Sequence, residues 1–275
     1  MLYLVASPIG NLEDISARAL RVLQEVDLIA AEDTRVTNKL LSHYGIRTRM
    51  VSYYEHNKVS KLGLILGELG KGDVALVSDA GTPGLNDPGY ELVRAALDAG
   101  HRVSPIPGPA SPIAALVASG IATDAFLYLG YLPRKSAERR ASLATVASLP
   151  YTLILLETPH RLRASLQDLQ DTLGDRKLAV ARELTKLHEE VWRGSFAQAI
   201  DHFTDPRGEF TLVVEGNKVS PDGKWTEQQV RNAIDQALDA GETPSALASR
   251  LAGSSGWGRR DIYALILTTD KKRMQ

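Results

Sequence analysis

Cysteine is absent from this chain of 275 residues. That absence excludes disulfides, thiolate zinc sites and cysteine nucleophiles, so the fold must rest on packing alone. Long apolar runs are also missing, since none approaches the roughly 20 residues that a membrane helix requires. The first residues lack the basic and apolar regions of a signal peptide. We therefore expect a soluble, cytoplasmic protein.

Neither sign of charge is in excess, because the net charge is only -1. The field of the whole molecule then offers no attraction to nucleic acid, and any such contact must come from local basic patches. Each patch on its own is more typical of a solvated surface. The candidates are Arg134, Lys135, Arg139 and Arg140; His160, Arg161 and Arg163; Arg259 and Arg260; and Lys271, Lys272 and Arg273.

Motifs for phosphate cradles and metals are missing as well. The chain contains no Gly-x-x-x-x-Gly-Lys-Ser/Thr element. The first loop, residues 7–11, is too constrained by its proline to form a Gly-x-Gly-x-x-Gly dinucleotide turn. It contains no His-Glu-x-x-His and no Asp-rich calcium loop. Kinase and dehydrogenase functions are disfavoured, and we expect no required metal.

The pattern of apolar segments predicts two α/β domains and a small C-terminal helical module. Residues 1–119 alternate short apolar runs with amphipathic helices, which is typical of a mostly parallel sheet. Residues 120–217 predict a second α/β domain, with a hairpin that makes its sheet mixed. Residues 218–223 form a predicted linker, and residues 224–275 the module, whose first helix is capped by Thr226 and stops at Gly241.

The predicted boundaries are as follows. Strands are expected at residues 2–6, 28–31, 74–78 and 102–106 in the first domain, and at 126–131, 151–156, 178–185, 189–194 and 209–215 in the second. A helix capped by Thr34 should end at Gly45, and a basic helix should span residues 134–147. In the module, two helices should flank a turn at 253–258.

Four loops follow strands of the first predicted sheet, at residues 7–11, 32–35, 78–89 and 107–112. In an open α/β sheet, ligands bind outside the carboxyl ends of the strands. The loop at 78–89 is the most informative because it is about ten residues long, whereas a plain connection needs about two to six. These loops therefore predict a ligand cleft.

Seven motifs occur in an order that resembles a known family. They are SPIGNL at 7–12, AEDTR at 31–35, SDAGTP at 78–83, NDPG at 86–89, PGP at 107–109, ETPHR at 157–161 and RELTK at 182–186. Over residues 2–216 the chain resembles the family of 16S rRNA cytidine 2'-O-methyltransferases within the tetrapyrrole-methylase-like superfamily. The resemblance implies a class III methyltransferase-like fold with S-adenosyl-L-methionine bound in a cleft between the two α/β domains. It also implies a homodimer that methylates rRNA of the small ribosomal subunit in the decoding region, without a DNA or membrane partner.

Methyl transfer to a ribose hydroxyl mainly requires alignment of oxygen, methyl and sulfur, together with a group that accepts the proton. The residues expected to be catalytic are Asp33, Arg35, Asn11, Glu183 and Lys186. Asp33 is the first candidate for the proton acceptor, Arg35 would position a phosphate, and Asn11 or His56 would lie nearby. The alternatives are that Asp33 is a helix N-terminal acid and that His56 is a surface loop residue.

Further residues are expected to hold the donor or the substrate. The donor set is Pro8, Asp79, Gly81, Thr82, Pro83, Pro107, Gly108, Ser111, Tyr131 and Glu157. An Asx-turn is the alternative role for Asp79. A substrate wall that holds phosphates and orients a base or ribose is expected from Glu157, His160, Arg161, Arg182, Glu183, Lys186 and Glu190, and a buried charge network is its alternative.

Two other functions remain open at this point. One is a methyltransferase for a tetrapyrrole or a protein side chain on the same scaffold. The other is a non-catalytic ribosome-assembly factor that uses the cleft only as a sensor.

Overall fold

Five parallel strands build the first sheet within residues 1–119, all of which the structure describes. They are β1 (Leu2–Val5), β2 (Leu28–Ala31), β3 (Met50–Ser52), β4 (Val74–Val77) and β5 (Val103–Ile106), in the order β3-β2-β4-β1-β5. Every residue of β2 and β4 is buried, as expected for central strands that are covered on both faces. The parallel sheet is confirmed, and its short edge strand β3 was not predicted.

Helices cover both faces of this sheet. One apolar cluster holds α1 (Ala17–Glu25) and α2 (Thr34–His43), and the other holds α3 (Lys58–Leu69) and α4 (Tyr90–Asp98). The predicted cap of α2 is wrong by one residue. Asp33 is the N-cap, and its carboxylate accepts a hydrogen bond from the Arg35 backbone N–H at 2.8 Å. A carboxylate suits this position because it complements the positive end of the helix dipole.

The second sheet is mixed, as predicted. Its strands are β6 (Phe126–Tyr131), β7 (Thr152–Glu157), β8 (Leu178–Arg182), β9 (Glu190–Gly194) and β10 (Phe210–Val214), in the order β6-β7-β10-β8-β9. β6 runs parallel to β7, whereas the other pairs are antiparallel and β8 and β9 form the expected hairpin. β8 ends at Arg182, before residue 185, because Glu183 and Thr185 adopt left-handed φ angles of 49° and 67°.

Helix α5 (Ser111–Ser119) follows β5 and joins the two sheets. Its Ala115 and Leu116 pack on the second sheet against Ile154, Ala179 and Val213. α6 (Ser136–Ala144), α7 (Pro159–Leu173) and α8 (Phe196–His202) are gathered in a separate core cluster with that sheet. Residues Met1–Gly216 therefore form one compact unit, and a domain boundary at 119/120 stays a prediction.

The basic helix predicted over residues 134–147 is shorter and only partly a surface feature. Arg139 is 3% exposed, and its Nε donates to Asp168 Oδ2 at 2.7 Å. Ser136 Oγ donates to the other Asp168 oxygen at 2.8 Å. The prediction that Arg139 belongs to a basic surface patch is therefore wrong. Its neighbours Arg134, Lys135 and Arg140 are exposed.

The computed structural model describes residues 1–218, 224–239 and 242–273, and Asn217–Gln275 is assigned to a second unit. It contains α9 (Glu227–Asp239), α10 (Pro244–Ser255) and α11 (Arg259–Arg273), which share a core of Val230, Ile234, Leu247, Leu251 and Ile262. Thr226 caps α9 as predicted, since its hydroxyl accepts from the Gln229 N–H at 3.3 Å.

Some predictions about this module do not match the described residues or lie outside them. α10 continues through Gly253 and ends at Ser255, so the turn expected from residue 253 begins later, at Gly256 with a φ of 68°. The linker at 218–223, apart from Lys218, and the helix stop at Gly241 lie outside the described residues, and so do the side chains of the basic tail 271–273. Within the described ranges, no helix is long and apolar enough to cross a membrane.

Candidate active site

A cavity of about 240 Å³ lies where the carboxyl ends of the first sheet meet the second sheet. Each of the four predicted loops contributes to its wall, through Ile9, Glu32, Asp79 and Ala110 among others. Residues of β6, β7, β8 and β10 complete it. The further lining residues are Ala80, Gly81, Thr82, Leu85, Asn86, Asp87, Ser111, Pro112, Tyr128, Tyr131, Leu156, Ala181, Leu184, Glu209, Phe210 and Thr211.

Two glycines near the cavity, Gly10 in the first loop and Gly130 in β6, lie close to side chains of the other half. A Cβ on Gly10 would lie 2.4 Å from Lys186 Cγ, and beside it the Asn11 N–H donates to Thr185 Oγ1 at 3.1 Å. A Cβ on Gly130 would lie 2.5 Å from Asn86 Nδ2. At both positions, a side chain of the other half occupies the space in which a Cβ would lie.

Gly130→Ala is expected to lower the free energy of unfolding by about 2–4 kcal/mol, the sum of a backbone term and an overpacking term. The φ of Gly130 is 62°, and the new Cβ would collide with the Asn86 amide. Gly45→Ala is the matched control, since Gly45 has a φ of 67° and nothing within 4 Å of the added carbon. It should lose only about 1–2 kcal/mol. Urea unfolding compares the two, and equal losses would contradict a collision at the cavity edge.

Four acidic residues line the cavity. Glu209 is paired with Lys186, and the other three, Glu32, Asp79 and Asp87, make the cavity negative. The Asp79 N–H donates to Glu32 Oε2 at 3.2 Å, and Asp79 Oδ1 accepts from the Asp33 N–H at 2.9 Å. Burial is the largest cause that raises the pKa of each of the three. Repulsion adds to it, from Asp79 and Asp33 on Glu32, from Asp33 on Asp79, and from Glu32 and Asp79 on Asp87. The pKa of Asp87 rises to about 6. Such a cluster is complementary to a cationic ligand.

Half of the predicted donor residues line this cavity, namely Asp79, Gly81, Thr82, Ser111 and Tyr131. The Asp79 carboxylate also links two loops through its bond from Asp33, so it does more than brace its own turn. Pro8 lines a second cavity, and Gly108 packs so closely on Ala6 that an added Cβ would lie 2.9 Å from it. Pro83 and Pro107 are outside the lining.

Glu157 is also outside the lining, in a buried network of its own. It is 2% exposed, accepts from the Thr158 N–H at 2.8 Å and from the Ser165 hydroxyl, and lies 3.3 Å from Arg161 Nε. Arg161 in turn donates to the Leu132 carbonyl at 2.8 Å. For this pair the structure favours the charge-network alternative over a wall that faces substrate.

The predicted catalytic residues lie beside the cavity, and its wall contains none of the five. Asp33 pairs with Arg35 at 2.6 Å, and the hydrogen bond from this guanidinium lowers the pKa of Asp33 to about 2. The Arg35 side chain is 88% exposed. Asn11 Oδ1 accepts from the Glu13 N–H at 3.1 Å, and His56 is exposed on its loop. The structure confirms the helix N-terminal role of Asp33 and leaves its catalytic role a prediction.

Glu183 and Lys186 form a polar cluster with Glu209, which does line the cavity. Lys186 Nζ lies 2.9 Å from Glu183 Oε1 and 2.8 Å from Glu209 Oε2. Burial alone would raise the pKa of Glu183, but hydrogen bonds from Lys186 and from the Glu209 N–H lower it. Both charges of the predicted pair are thus already satisfied within the chain. Three other residues of the predicted substrate wall lie outside the cavity lining. The charged groups of Arg182 and Glu190 are 3.8 Å apart, and His160 is exposed.

Sequence reasoning did not single out Glu32, Asp87, Tyr128, Glu209 or Thr211. Glu32 and Asp87 belong to the AEDTR and NDPG motifs. As acidic residues in predicted ligand loops, they could have been predicted to line the cavity. Tyr128 could not be found by strand alternation because it lies three residues from Tyr131. The register shift between Tyr128 and Gly130 lets both rings reach the cavity.

Comparison with known proteins places these features in a family. The family model for Tetrapyrrole (Corrin/Porphyrin) Methylases matches residues 1–200. A Synechocystis protein named ribosomal RNA small subunit methyltransferase I is 48% identical over 97% of this chain and 97% of its own length. Proteins of the same name from Escherichia coli O157:H7 and Bacillus subtilis are 45% and 42% identical, over 92% and 96% of this chain and 90% and 92% of their own lengths.

Solved structures share the fold at lower identity. The uroporphyrin-III-C-methyltransferase of Thermus thermophilus is 23% identical, with a TM-score of 0.56 over 78% of this chain and 93% of its own. The methyltransferase CobJ is 16% identical, with a TM-score of 0.60 over 80% and 97%. The chain therefore belongs to the tetrapyrrole (corrin/porphyrin) methylase family and, within it, to the group of ribosomal RNA small subunit methyltransferase I.

Proposed function

We propose that this protein methylates the ribose 2'-hydroxyl of a cytidine in the decoding region of 16S rRNA, with S-adenosylmethionine as donor, and that it acts as a cytoplasmic homodimer on the small ribosomal subunit. The observation that carries the proposal is similarity over nearly the whole chain to relatives whose name specifies small-subunit rRNA. The choice of the ribose oxygen and of cytidine rests on the motifs quoted above, such as AEDTR and RELTK.

The residues of the cavity fit the donor. Methyltransferases of this family use S-adenosylmethionine, whose sulfonium and amino groups are both cationic. Glu32 and Asp79 would hold these charges, and Leu85, Leu156 and Ala181 offer apolar surface to the adenosine. When bound, the donor supplies an electrophilic methyl carbon. Held between the two sheets, it would be shielded from water, which strengthens the attraction of the carboxylates.

Asp87 is our candidate for the group that takes the hydroxyl proton. It lines the cavity, and its pKa of about 6 lets it be ionised yet basic near neutral pH. Asp33 is ionised as well, but a carboxylate with a pKa of about 2 is a weak base. We therefore propose that Asp33 orients Arg35, which would hold a phosphate of the RNA beside the cavity.

Asp33→Asn is expected to lower kcat/KM for the RNA about tenfold and to leave the donor Kd within about twofold. Asparagine can still cap α2 but cannot form the ion pair that holds Arg35. Asp205→Asn is the matched control, because Asp205 forms the same kind of exposed pair with Arg207 two residues later, at 2.8 Å. Steady-state kinetics and donor titration separate the two effects. An equal loss of donor affinity would assign Asp33 to the donor instead.

The function itself is tested with labelled donor and unmodified small ribosomal subunits, with naked 16S rRNA in parallel. The proposal expects label on one ribose of a decoding-region cytidine, located by nuclease mapping and nucleoside analysis. Label on a base, on a ribosomal protein or on a tetrapyrrole would contradict it. Donor binding without any transfer to either RNA substrate would support the sensor alternative.

A further inference from the structure

The loop between β8 and β9, residues 183–189, carries an exposed apolar side chain. Leu187 is 93% exposed, more than any other large apolar residue that the structure describes. It lies in a tight turn in which the Glu189 N–H donates to the Lys186 carbonyl at 3.1 Å. The turn before it is closed in the same way, by the Lys186 N–H and the Glu183 carbonyl at 3.0 Å. Two consecutive turns therefore leave the Leu187 side chain in solvent.

The backbone of this loop is strained at two residues. Apart from glycine, left-handed φ angles occur in the described chain at Glu183, Thr185 and Asn86. The first two belong to the loop, and Asn86 lines the cavity proposed for the donor. Such a conformation is costly for a residue with a Cβ, and above all for a β-branched threonine. Strain of this kind is kept where surrounding contacts impose it, and it gathers at functional sites.

Hydrogen bonds to Thr185 hold the strained segment in place. Its Oγ1 accepts from the Asn11 N–H at 3.1 Å, in the first loop of the other sheet. Its own N–H donates to the Glu189 carboxylate within the loop. The loop is thus a fixed support for Leu187, so a contact made by this side chain costs little conformational freedom.

The same loop lies at the edge of the cavity proposed for the donor. Leu184 lines that cavity, and so does Glu209, whose Oε2 is 2.8 Å from Lys186 Nζ. The same Nζ lies 2.9 Å from Glu183 Oε1, so Lys186 is already paired with two carboxylates. The loop therefore offers an approaching RNA strand an apolar surface rather than a phosphate site.

We propose that Leu187 packs against an unstacked base of the RNA substrate, next to the nucleotide whose ribose is methylated, and thereby positions the strand. The inference rests on the proposed function, which it deepens. A strand that brings one ribose to the cavity must carry the neighbouring nucleotides past the cavity edge, where this loop lies. Bases in loops and bulges of RNA can be unstacked, which exposes their faces to apolar contact. Leucine is among the side chains that proteins insert between bases.

Leu187→Ala tests the contact. We expect kcat/KM for small ribosomal subunits to fall about tenfold, the scale of one lost apolar contact, and the donor Kd to stay within about twofold. The melting temperature should not change, because so exposed a side chain buries almost no apolar surface in the free protein. Leu97→Ala is the matched control, since Leu97 is a 55% exposed leucine on α4 outside the cavity lining. Equal kinetics for the two variants would overturn the proposal, and so would a kinetic loss that comes with a lower melting temperature.

Salt dependence separates an apolar contact from an electrostatic one. A contact with a base releases no counterions, so Leu187→Ala should differ from the wild type by the same factor at about 50 and about 200 mM salt. For Arg35→Ala, which removes a proposed phosphate contact, the difference should shrink as salt rises. Leu187→Met keeps an apolar side chain of similar size and should retain most of the wild-type kcat/KM. The proposal fails if the Leu187→Ala effect shrinks as in Arg35→Ala, or if Leu187→Met is as slow as Leu187→Ala.

A crosslinking measurement keeps this proposal separate from the proposed function. An apolar, photoreactive benzophenone side chain replaces Leu187 in the full chain and, in a control protein, Leu97. Each protein is irradiated with unmodified small ribosomal subunits, and the crosslinked nucleotides are mapped. We expect the probe at position 187, and not the one at 97, to crosslink to rRNA beside the methylated nucleotide.

The outcomes of that measurement are distinct. If the probe at position 187 crosslinks to rRNA while the wild type methylates no ribose, the RNA contact stands and the proposed reaction fails. If the wild type methylates a ribose but the probe crosslinks to a ribosomal protein, to a second copy of this chain or to nothing, the reaction stands and the contact of Leu187 with RNA fails.

Discussion

Arg139→Ala is expected to lower the free energy of unfolding by about 3–5 kcal/mol, because it would leave the buried Asp168 carboxylate with only the more distant, exposed Arg140 as a counter-charge. The Arg139 and Asp168 side chains are only 4% and 8% exposed, and they are joined at 2.7 Å. The Arg139 guanidinium also donates to the Pro133 and Arg134 carbonyls, at 3.3 and 3.2 Å. One substitution therefore removes an ion pair and the bonds that hold the chain between β6 and α6.

Arg140→Ala is the matched control for that loss. Arg140 is the next residue of α6, its side chain is 51% exposed, and its Nε lies 3.8 Å from the same carboxylate. An exposed contact of this kind contributes about 0–1 kcal/mol. Denaturant unfolding of both variants measures the difference. A loss below about 1 kcal/mol for Arg139→Ala would mean that Asp168 finds water or another donor when Arg139 is removed.

The same pair shows why surface charge is hard to predict from sequence. Arg134, Lys135, Arg139 and Arg140 form one basic run in the sequence, yet Arg139 is inside because α6 turns it toward Asp168 on α7, 29 residues away. Glu157 is hidden in the same way, by a serine eight residues later. The local sequence shows which residues are charged. Whether such a side chain is exposed depends on a partner that is distant in the sequence.

The sheet edge could be predicted because its signal is local. β2 and β4 are continuous apolar runs, and the polar loops that follow them belong at the carboxyl edge of a parallel sheet. β3 gave no such signal, since Met50–Ser52 is only three residues long and half-buried. The lining of the cavity was predicted for Asp79 and Tyr131 but missed for Tyr128, because the register shift between Tyr128 and Gly130 breaks the strict alternation of strand faces that a sequence pattern assumes.

Asp87→Asn is expected to lower turnover at least a hundredfold, the usual scale for a proton acceptor. The amide keeps the shape of the side chain in the cavity but cannot take a proton. A loss of stability in the variant would not explain the loss of turnover. Burial raises the pKa of Asp87 from 3.8 to about 6, so this group adds stability as pH falls through 6, and its charge is unfavourable at pH 7. At pH 7 the variant should be as stable as the wild type or more so.

The pH profile separates Asp87 from the other carboxylates. In the wild type, kcat/KM for the donor, which reports the free enzyme, should fall about tenfold per unit below a pH of about 6. Asp87→Asn should remove this acidic limb of the profile, so that kcat/KM no longer falls below a pH of about 6. Asp79→Asn should keep the limb and move it to lower pH, because the Asp79 charge helps to raise the pKa of Asp87. If Asp33 took the proton instead, its pKa of about 2 would leave the profile flat from pH 5 to 8, and Asp87→Asn would keep most of its turnover.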